Sequence, residues 1–168
     1  SLWIYHDTLK GQPNCPLTVA DGYAYTGFWN SETGDASFVC IPIADERPTA
    51  SNEEKYAAWR HVQAGGFYWA GACVQNGVLL VGTDDGQNST SPVLSTGRVL
   101  LFDAATGALL DEVGGICGDV RSTICYDSGS NAYYATSKGG EFIRIKLDAT
   151  GRKIASKQTL KLQNGTTR

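Results

Sequence analysis

No apolar run in these 168 residues is long enough to span a bilayer. Neither sign of charge dominates: 17 acidic and 14 basic residues are interspersed along the chain and leave a net charge of −3. That lacks the basic footprint of a nucleic-acid binder and the polybasic patch of a membrane-surface protein, so neither nucleic acid nor membrane insertion is expected. The five cysteines (Cys15, Cys40, Cys73, Cys117 and Cys125) form no C-x-x-C and no adjacent pair, which fits neither a zinc site nor a redox motif. Their odd number leaves at least one thiol free, and any pairing of the others is open. The opening run, residues 1–6, lacks the basic region and small-residue cleavage site of a signal peptide. It starts abruptly in a strand-like run, as a piece cut from a longer chain would.

What is abundant is glycine, 20 residues, with Tyr, Trp, Val and Thr in short bursts between turns. That is the profile of a β-protein, of a size that buries roughly 70% of its unfolded surface. The chain also repeats itself. Segments beginning at Gly11, Gly66 and Gly118 align without a gap, each with an apolar run in the middle and a turn at its end. Spacings of 55 and 52 residues point to an array of like supersecondary units. Cys73 and Cys125 share a repeat position in the apolar strand and read as small buried hydrophobes.

Each repeat continues alike. Asp21-Gly22 and Asn76-Gly77 are hairpin turns whose residues tolerate φ > 0, and residues 127–131 form a longer turn in the third repeat. Second strands follow at residues 23–27, 78–82 and 132–136, and third strands at 37–43, 98–102 and 141–147. Asp103-Ala104-Ala105-Thr106-Gly107 and Asp148-Ala149-Thr150-Gly151 then close tight turns, with Asp and Thr bonding the backbone and Gly supplying the left-handed residue. Fourth strands leave at 108–113 and 153–157. In the first repeat an insert over 44–56 replaces this turn. Its Ser51-Asn52-Glu53-Glu54 predicts a helical turn, and the fourth strand is expected over 57–62. A second insert over 84–96, rich in Ser, Thr, Gly and Asn, predicts an exposed loop.

Four-stranded antiparallel units at this spacing are what propeller blades look like. Trp3 stands before Gly11 much as Trp59 stands before Gly66, so the opening run is expected to be an orphan outer strand of a preceding blade. The expected fold is therefore all-β, a partial β-propeller of three four-stranded antiparallel blades plus that strand. The chain divides into the outer strand over 1–10, blades over 11–64, 65–117 and 118–163, and a tail over 164–168. Three blades do not close an ordinary ring. A blade face exposed at each end calls for the other blades of the same propeller, or for a second copy joined face to face.

The Asp-Ala-x-Thr-Gly turn, the strands Gly97-Arg98-Val99-Leu100-Leu101-Phe102 and Gly139-Gly140-Glu141-Phe142-Ile143-Arg144-Ile145, and the outer-strand Trp resemble the PQQ-like β-propeller repeat family. Residues 11–30 and 65–86 are also similar to uncharacterised cell-surface propeller proteins of Gram-positive bacteria. The family includes quinoprotein dehydrogenases, outer-membrane assembly scaffolds and binding proteins. The dehydrogenases place an adjacent Cys-Cys pair over the quinone and a Trp beneath it, with calcium held by Glu and Asn beside an Asp base. This sequence has no Cys-Cys dipeptide and no C-x-x-C-H haem site, so no cofactor is expected.

The resemblance implies that ligands meet the loops entering the innermost strands, together with the loops after the second strands. Those positions are Asn14, Trp69 and Arg121, with Tyr68 and Asp119 beside them, and Phe28-Trp29-Asn30, Asp84-Asp85 and Ser137-Lys138 across. An Arg fork beside a Trp face suits an anionic or sugar-like ligand. The plain alternative is that Trp69 and Tyr68 plug the axial channel while Arg121 pairs with Asp119. Asp84 and Asp85 stand in an acidic loop with oxygen ligands of the kind calcium takes, though without the spacing or terminal Glu of a twelve-residue calcium loop; a solvated turn is the other reading. His6 and His61 lie at similar places on outer strands and read as structural. Asn88-Ser89-Thr90 and Asn164-Gly165-Thr166 match the glycosylation sequon, which matters only in a eukaryote. The expected function is a non-enzymatic binding or scaffolding module of an extracellular or cell-surface protein. Its rival is a quinone-dependent or other propeller enzyme whose active site needs further blades.

Overall fold

The computed structural model describes residues 3–49, 51, 53–87 and 96–162. Most of the second insert and both sequons lie outside the described residues, as does Asn52. Among the described residues there are strands and turns and no helix. The first blade consists of β2 (Thr18–Ala20), β3 (Tyr23–Gly27), β4 (Asp35–Pro42) and β6 (Trp59–Ala64). The second is β7 (Cys73–Gln75), β8 (Val78–Gly82), β9 (Gly97–Asp103) and β10 (Leu109–Ile116). The third is β11 (Cys125–Asp127), β12 (Ala132–Thr136), β13 (Glu141–Leu147) and β14 (Ile154–Lys161). Each sheet is an antiparallel meander in chain order, and the three stack as consecutive blades of a partial propeller.

The local chemistry explains the meanders. Asp21 and Gly22 have φ of 50° and 82°, and Asn76 and Gly77 of 52° and 76°, the paired left-handed geometry of a two-residue hairpin. In the third blade Asp127 instead accepts from the Ser130 N–H at 2.9 Å and holds the longer turn. Asp103 Oδ1 accepts from the Ala105 and Thr106 amides at 3.1 and 2.9 Å and from the Thr106 hydroxyl at 2.9 Å. Asp148 repeats the motif with Thr150 and Arg152.

The middle blade is buried on both sides, which is why β8 is buried at every position. Leu79, Val81, Leu100 and Phe102 pack on Tyr25, Phe38, Cys40 and Trp59 of the first blade. Val78, Leu80, Val99 and Leu101 pack on Tyr133, Ala135, Ile143 and Ile145 of the third. Each fully buried side chain contributes about 1.5–3 kcal/mol. The indole N–H of Trp59 donates to the Ala104 carbonyl at 2.9 Å, tying the first blade's outer strand to the second. The blades approach so closely at their inner ends that the last residue of the second strand must be glycine. A Cβ on Gly27 would stand 2.5 Å from Phe67, and one on Gly82 would stand 2.3 Å from the Val120 carbonyl oxygen. The matching residue of the third blade is Thr136, exposed.

The opening run forms β1 (Trp3–Tyr5), which pairs in parallel with β5 (Glu53–Lys55). Two expectations are corrected. The region expected to form a helical turn is that strand β5. Its alternation turns Glu53 and Lys55 inward, where they form a buried ion pair at 2.8 Å, a two-residue period no helix reproduces. The β1–β5 sheet lies on the outer face of the first blade, where Trp3, Tyr5 and Ala57 pack on Phe28, Ala36, Val39 and Ile41. That face is therefore covered, leaving only the third blade's far face open among the described residues. Lastly, Cys125 is exposed and Cys73 only partly buried: β11 turns Cys125 away from the second blade, where no described residue packs on it.

Candidate functional site

The segments entering β2, β7 and β11 meet the loops after β3, β8 and β12 at one end of the blades. Backbone bonds fix their correspondence. Within the blades, Trp29 N–H donates to the Gln12 carbonyl, Asp84 N–H to Gly66 and Lys138 N–H to Asp119. Between blades, Phe67 N–H donates to the Phe28 carbonyl and Val120 N–H to Thr83. Tyr68, not Trp69, therefore matches Asn14 and Arg121, and the repeat begins at Gly65. The second blade carries one extra residue that ungapped alignment of the sequence could not show. Trp69, with φ of 58°, lies where that extra length is absorbed, and its side chain is 55% exposed.

Arg121 joins all three blades. Its Nε donates to Asp84 Oδ1 at 3.0 Å and its Nη2 to Asp84 Oδ2 at 2.6 Å, a bidentate fork. The same Nη2 lies 3.0 Å from Asp119 Oδ2 and 3.3 Å from Glu32 Oε2. Lys138 adds a contact to Asp119 at 3.2 Å, and the Asp85 amide donates to Asp119 Oδ1 at 2.9 Å. The guanidinium carbon sits 4.6 Å from the centroid of the Tyr68 ring. Tyr68 stacks with Trp69 at 4.3 Å and meets Trp29 at 4.9 Å, so three aromatic rings run from the first blade to the exposed tip.

The electrostatics follow from burial. Asp84 and Asp119 are almost wholly buried. Burial pushes the Asp84 carboxyl up to about 7, with Asp119 and Glu32 adding to the rise against the pull of Arg121. Asp85 is raised as well, chiefly by burial. Burial opposes the Arg121 charge, but hydrogen bonding and attraction from Asp84, then Asp119 and Glu32, outweigh it, so the guanidinium stays charged. Oxygens of Glu32, Asp84 and Asp119 converge within 4.8 Å of one another. The guanidinium nitrogen already stands among them, where a metal ion would need to sit. The trio thus does not fit calcium, and Asp85, expected with Asp84 as a ligand, lies outside it.

Of the residues read from the sequence, Tyr68, Trp69, Asp119, Arg121 and Lys138 come together and Asn14 does not join them; its buried Oδ1 has no hydrogen-bond partner. Arg121 does contact Asp119, but its fork belongs to Asp84. Tyr68 is half-buried, whereas Trp69 is open. Glu32 escaped sequence reading because it lies in a turn of a different repeat, and no periodicity marks it. Beside Trp69, a groove of about 360 Å³ is lined by Arg121, Ser122, Thr136, Ser137 and Lys138.

No family model matches this chain, and no curated protein does. Among solved structures it is similar to the computationally designed Ika8 protein, at 10% identity and a TM-score of 0.55 over 87% of this chain and 36% of that one. It is also similar to BamB from Moraxella catarrhalis, at 14% identity and a TM-score of 0.53 over 92% of this chain and 37% of that one. The chain spans little more than a third of either. At these identities the likeness establishes a propeller-like fold and nothing of activity.

Proposed function

We propose that this chain is a non-enzymatic ligand-binding module of a secreted or cell-surface protein, built from PQQ-like propeller repeats, and that its ligand is sugar-like and rests on Trp69. The observation that carries this is Trp69 itself. A non-glycine residue held at φ of 58° costs on the order of 1–3 kcal/mol, and such strain persists where function uses it. A ring 55% exposed recovers little of that through burial. The strain presents a flat aromatic face, backed by Tyr68, at the mouth of a groove with hydroxyls from Ser122, Thr136 and Ser137. An aromatic platform with a few polar groups is how small-molecule sites orient a ligand. Arg121 is spent on Asp84, and this favours a neutral polyhydroxylated ligand over an anionic one.

The test is titration of intrinsic tryptophan fluorescence with neutral and acidic saccharides. Trp69→Ala should abolish binding. Trp69→Gly should abolish binding while raising stability by about 0.5–1 kcal/mol, since glycine accepts this backbone freely. Unchanged affinity in Trp69→Ala would overturn the proposal. Saturable binding of a quinone with Ca²⁺, followed by dye reduction with an alcohol, would replace it with the enzyme reading.

A further inference from the structure

The groove beside Trp69 has cations in its wall and carboxyl groups behind them. Arg121 and Lys138 line it together with Ser122, Thr136 and Ser137. Asp84 and Asp119 are buried out of that lining, Glu32 is partly buried, and oxygens of the three lie within 4.8 Å of one another. Asp85, next to Asp84 on the loop after β8, donates its amide to Asp119 at 2.9 Å. Among the described residues the cluster therefore sets the four carboxyl groups Glu32, Asp84, Asp85 and Asp119 against two cations. Were all of them ionised, negative charge would be in excess behind the wall.

The groups around Asp84 come from every neighbouring element. Glu32 lies on the loop after β3, Asp119 and Arg121 on the segment entering β11, and Lys138 on the loop after β12. The segment entering β2 brings the Cys15 thiol, which burial pushes up to about 12, so it stays neutral. The segment entering β7 brings the Tyr68 ring, which lies against the guanidinium. Carboxylates crowded in a buried place hold a proton more readily than one alone, because each disfavours the charge of the next. Asp84 carries that proton. Burial first, then Asp119 and Glu32, raise it to about 7 against the pull of Arg121. Asp85 is raised too, by burial and then by Asp119.

We propose that the groove beside Trp69 excludes anions above neutral pH and admits them below it, with Asp84 as the deciding residue, so that acidic sugars bind only in acid while neutral sugars bind at either pH. This rests on the reading of the groove as a sugar site. At high pH a sugar carboxylate meets the excess negative charge behind the wall. Protonation of Asp84 removes one of those charges, and Arg121 and Lys138 then face the groove with less opposing them. One charge at about 10 Å changes the affinity of a monovalent anion by about tenfold at an effective dielectric constant of ~20, and by less where salt screens it. By reciprocity, a bound anion strengthens the hold of the cluster on its proton by the same factor. A neutral sugar resting on the Trp69 ring carries no charge for the cluster to act on.

Quenching of Trp69 fluorescence reads the charge of the groove without any sugar. Iodide is an anionic quencher and acrylamide a neutral one, and the share of Trp69 is the difference between the unaltered chain and Trp69→Phe. At a constant ionic strength of about 50 mM, iodide quenching should rise about twofold or more between about pH 8 and about pH 5.5, with acrylamide quenching unchanged. Asp84→Asn should quench at pH 8 as the unaltered chain does at pH 5.5, with no step between. Glu32→Gln should move the step to lower pH, since Glu32 helps to raise Asp84. Its side chain is 30% exposed, so it carries the test if Asp84→Asn does not fold. Iodide quenching that ignores pH refutes the proposal. So does a parallel change in acrylamide quenching, which reports exposure and not charge, or a step that survives in Asp84→Asn, which belongs to His6 or His61. Methyl glucoside and methyl glucuronide then test the sugars. The glucuronide should bind about fivefold or more tighter at pH 5.5 than at pH 8, and the glucoside equally at both. If neither perturbs Trp69 at either pH, the sugar reading of the groove fails, while the iodide titration still decides whether the groove admits anions.

Discussion

Among the described residues, replacing Arg121 by Ala removes the one cation shared by the three blades. It leaves Asp84, with a side chain only 1% exposed, facing Asp119 and Glu32 without a cation of its own, while Asp119 keeps only its contact to Lys138. Removing one partner of a buried pair costs about 3–5 kcal/mol. For a chain of this size that is a fall of roughly 10 °C in Tm, or about 2 M in the urea midpoint. The pH dependence follows from Asp84. Its folded pKa, about 7, lies above the ordinary carboxyl value, so its contribution to stability is greatest when protonated and is lost as pH rises through 7. Without Arg121 the folded value rises further. At pH 5 Asp84 is protonated in both proteins, and the variant loses only hydrogen bonds and packing; at pH 8 it must also hold or pay for an uncompensated carboxylate. Urea titrations at both pH values measure this directly. The reasoning fails if the loss is under about 1 kcal/mol, or if it is larger at pH 5 than at pH 8.

Gly82→Ala should destabilise by about 2–3 kcal/mol, because its Cβ would meet the Val120 carbonyl at 2.3 Å. Thr136→Ala, at the matching place of the open blade, should stay within about 1 kcal/mol in the same thermal melts. Asp103 is held below the usual carboxylate range by Arg152, then by the Thr106 amide. Its contribution is thus present at neutral pH and lost as pH falls through the folded value. Asp103→Asn should flatten the acid limb of the stability–pH curve, and an unchanged limb would show that the turn does not depend on the charge.

The blades were legible because their determinants are local. Asp21-Gly22 and Asn76-Gly77 announce hairpins by backbone chemistry alone, and near-continuous apolar runs such as Val78-Leu79-Leu80-Val81 state that both sheet faces are buried. The errors arose where a long-range partner decided the outcome. Glu53-Glu54 resembles a helix start until β1 supplies a strand to pair with. Cys125 lies in an apolar strand whose far side nothing described covers. At the site, the sequence pointed to Arg121, Asp119 and Tyr68 but misjudged their register, because one added residue near Trp69 leaves no mark on composition. Glu32 became visible only when three repeats were brought to one point.

The cover that β1 and β5 place on the first blade has a consequence for how the molecule comes apart. In stacked repeats, stability is close to a sum of each unit's own contribution and those of its contacts with neighbours. The second blade has a neighbour on each side, and the first has one blade and the β1–β5 sheet. Among the described residues the third has one neighbour only. In the 168-residue chain the amide protons should therefore exchange in that order: β13 and β14 open first, by fraying of a single blade, while the first two blades still hold together.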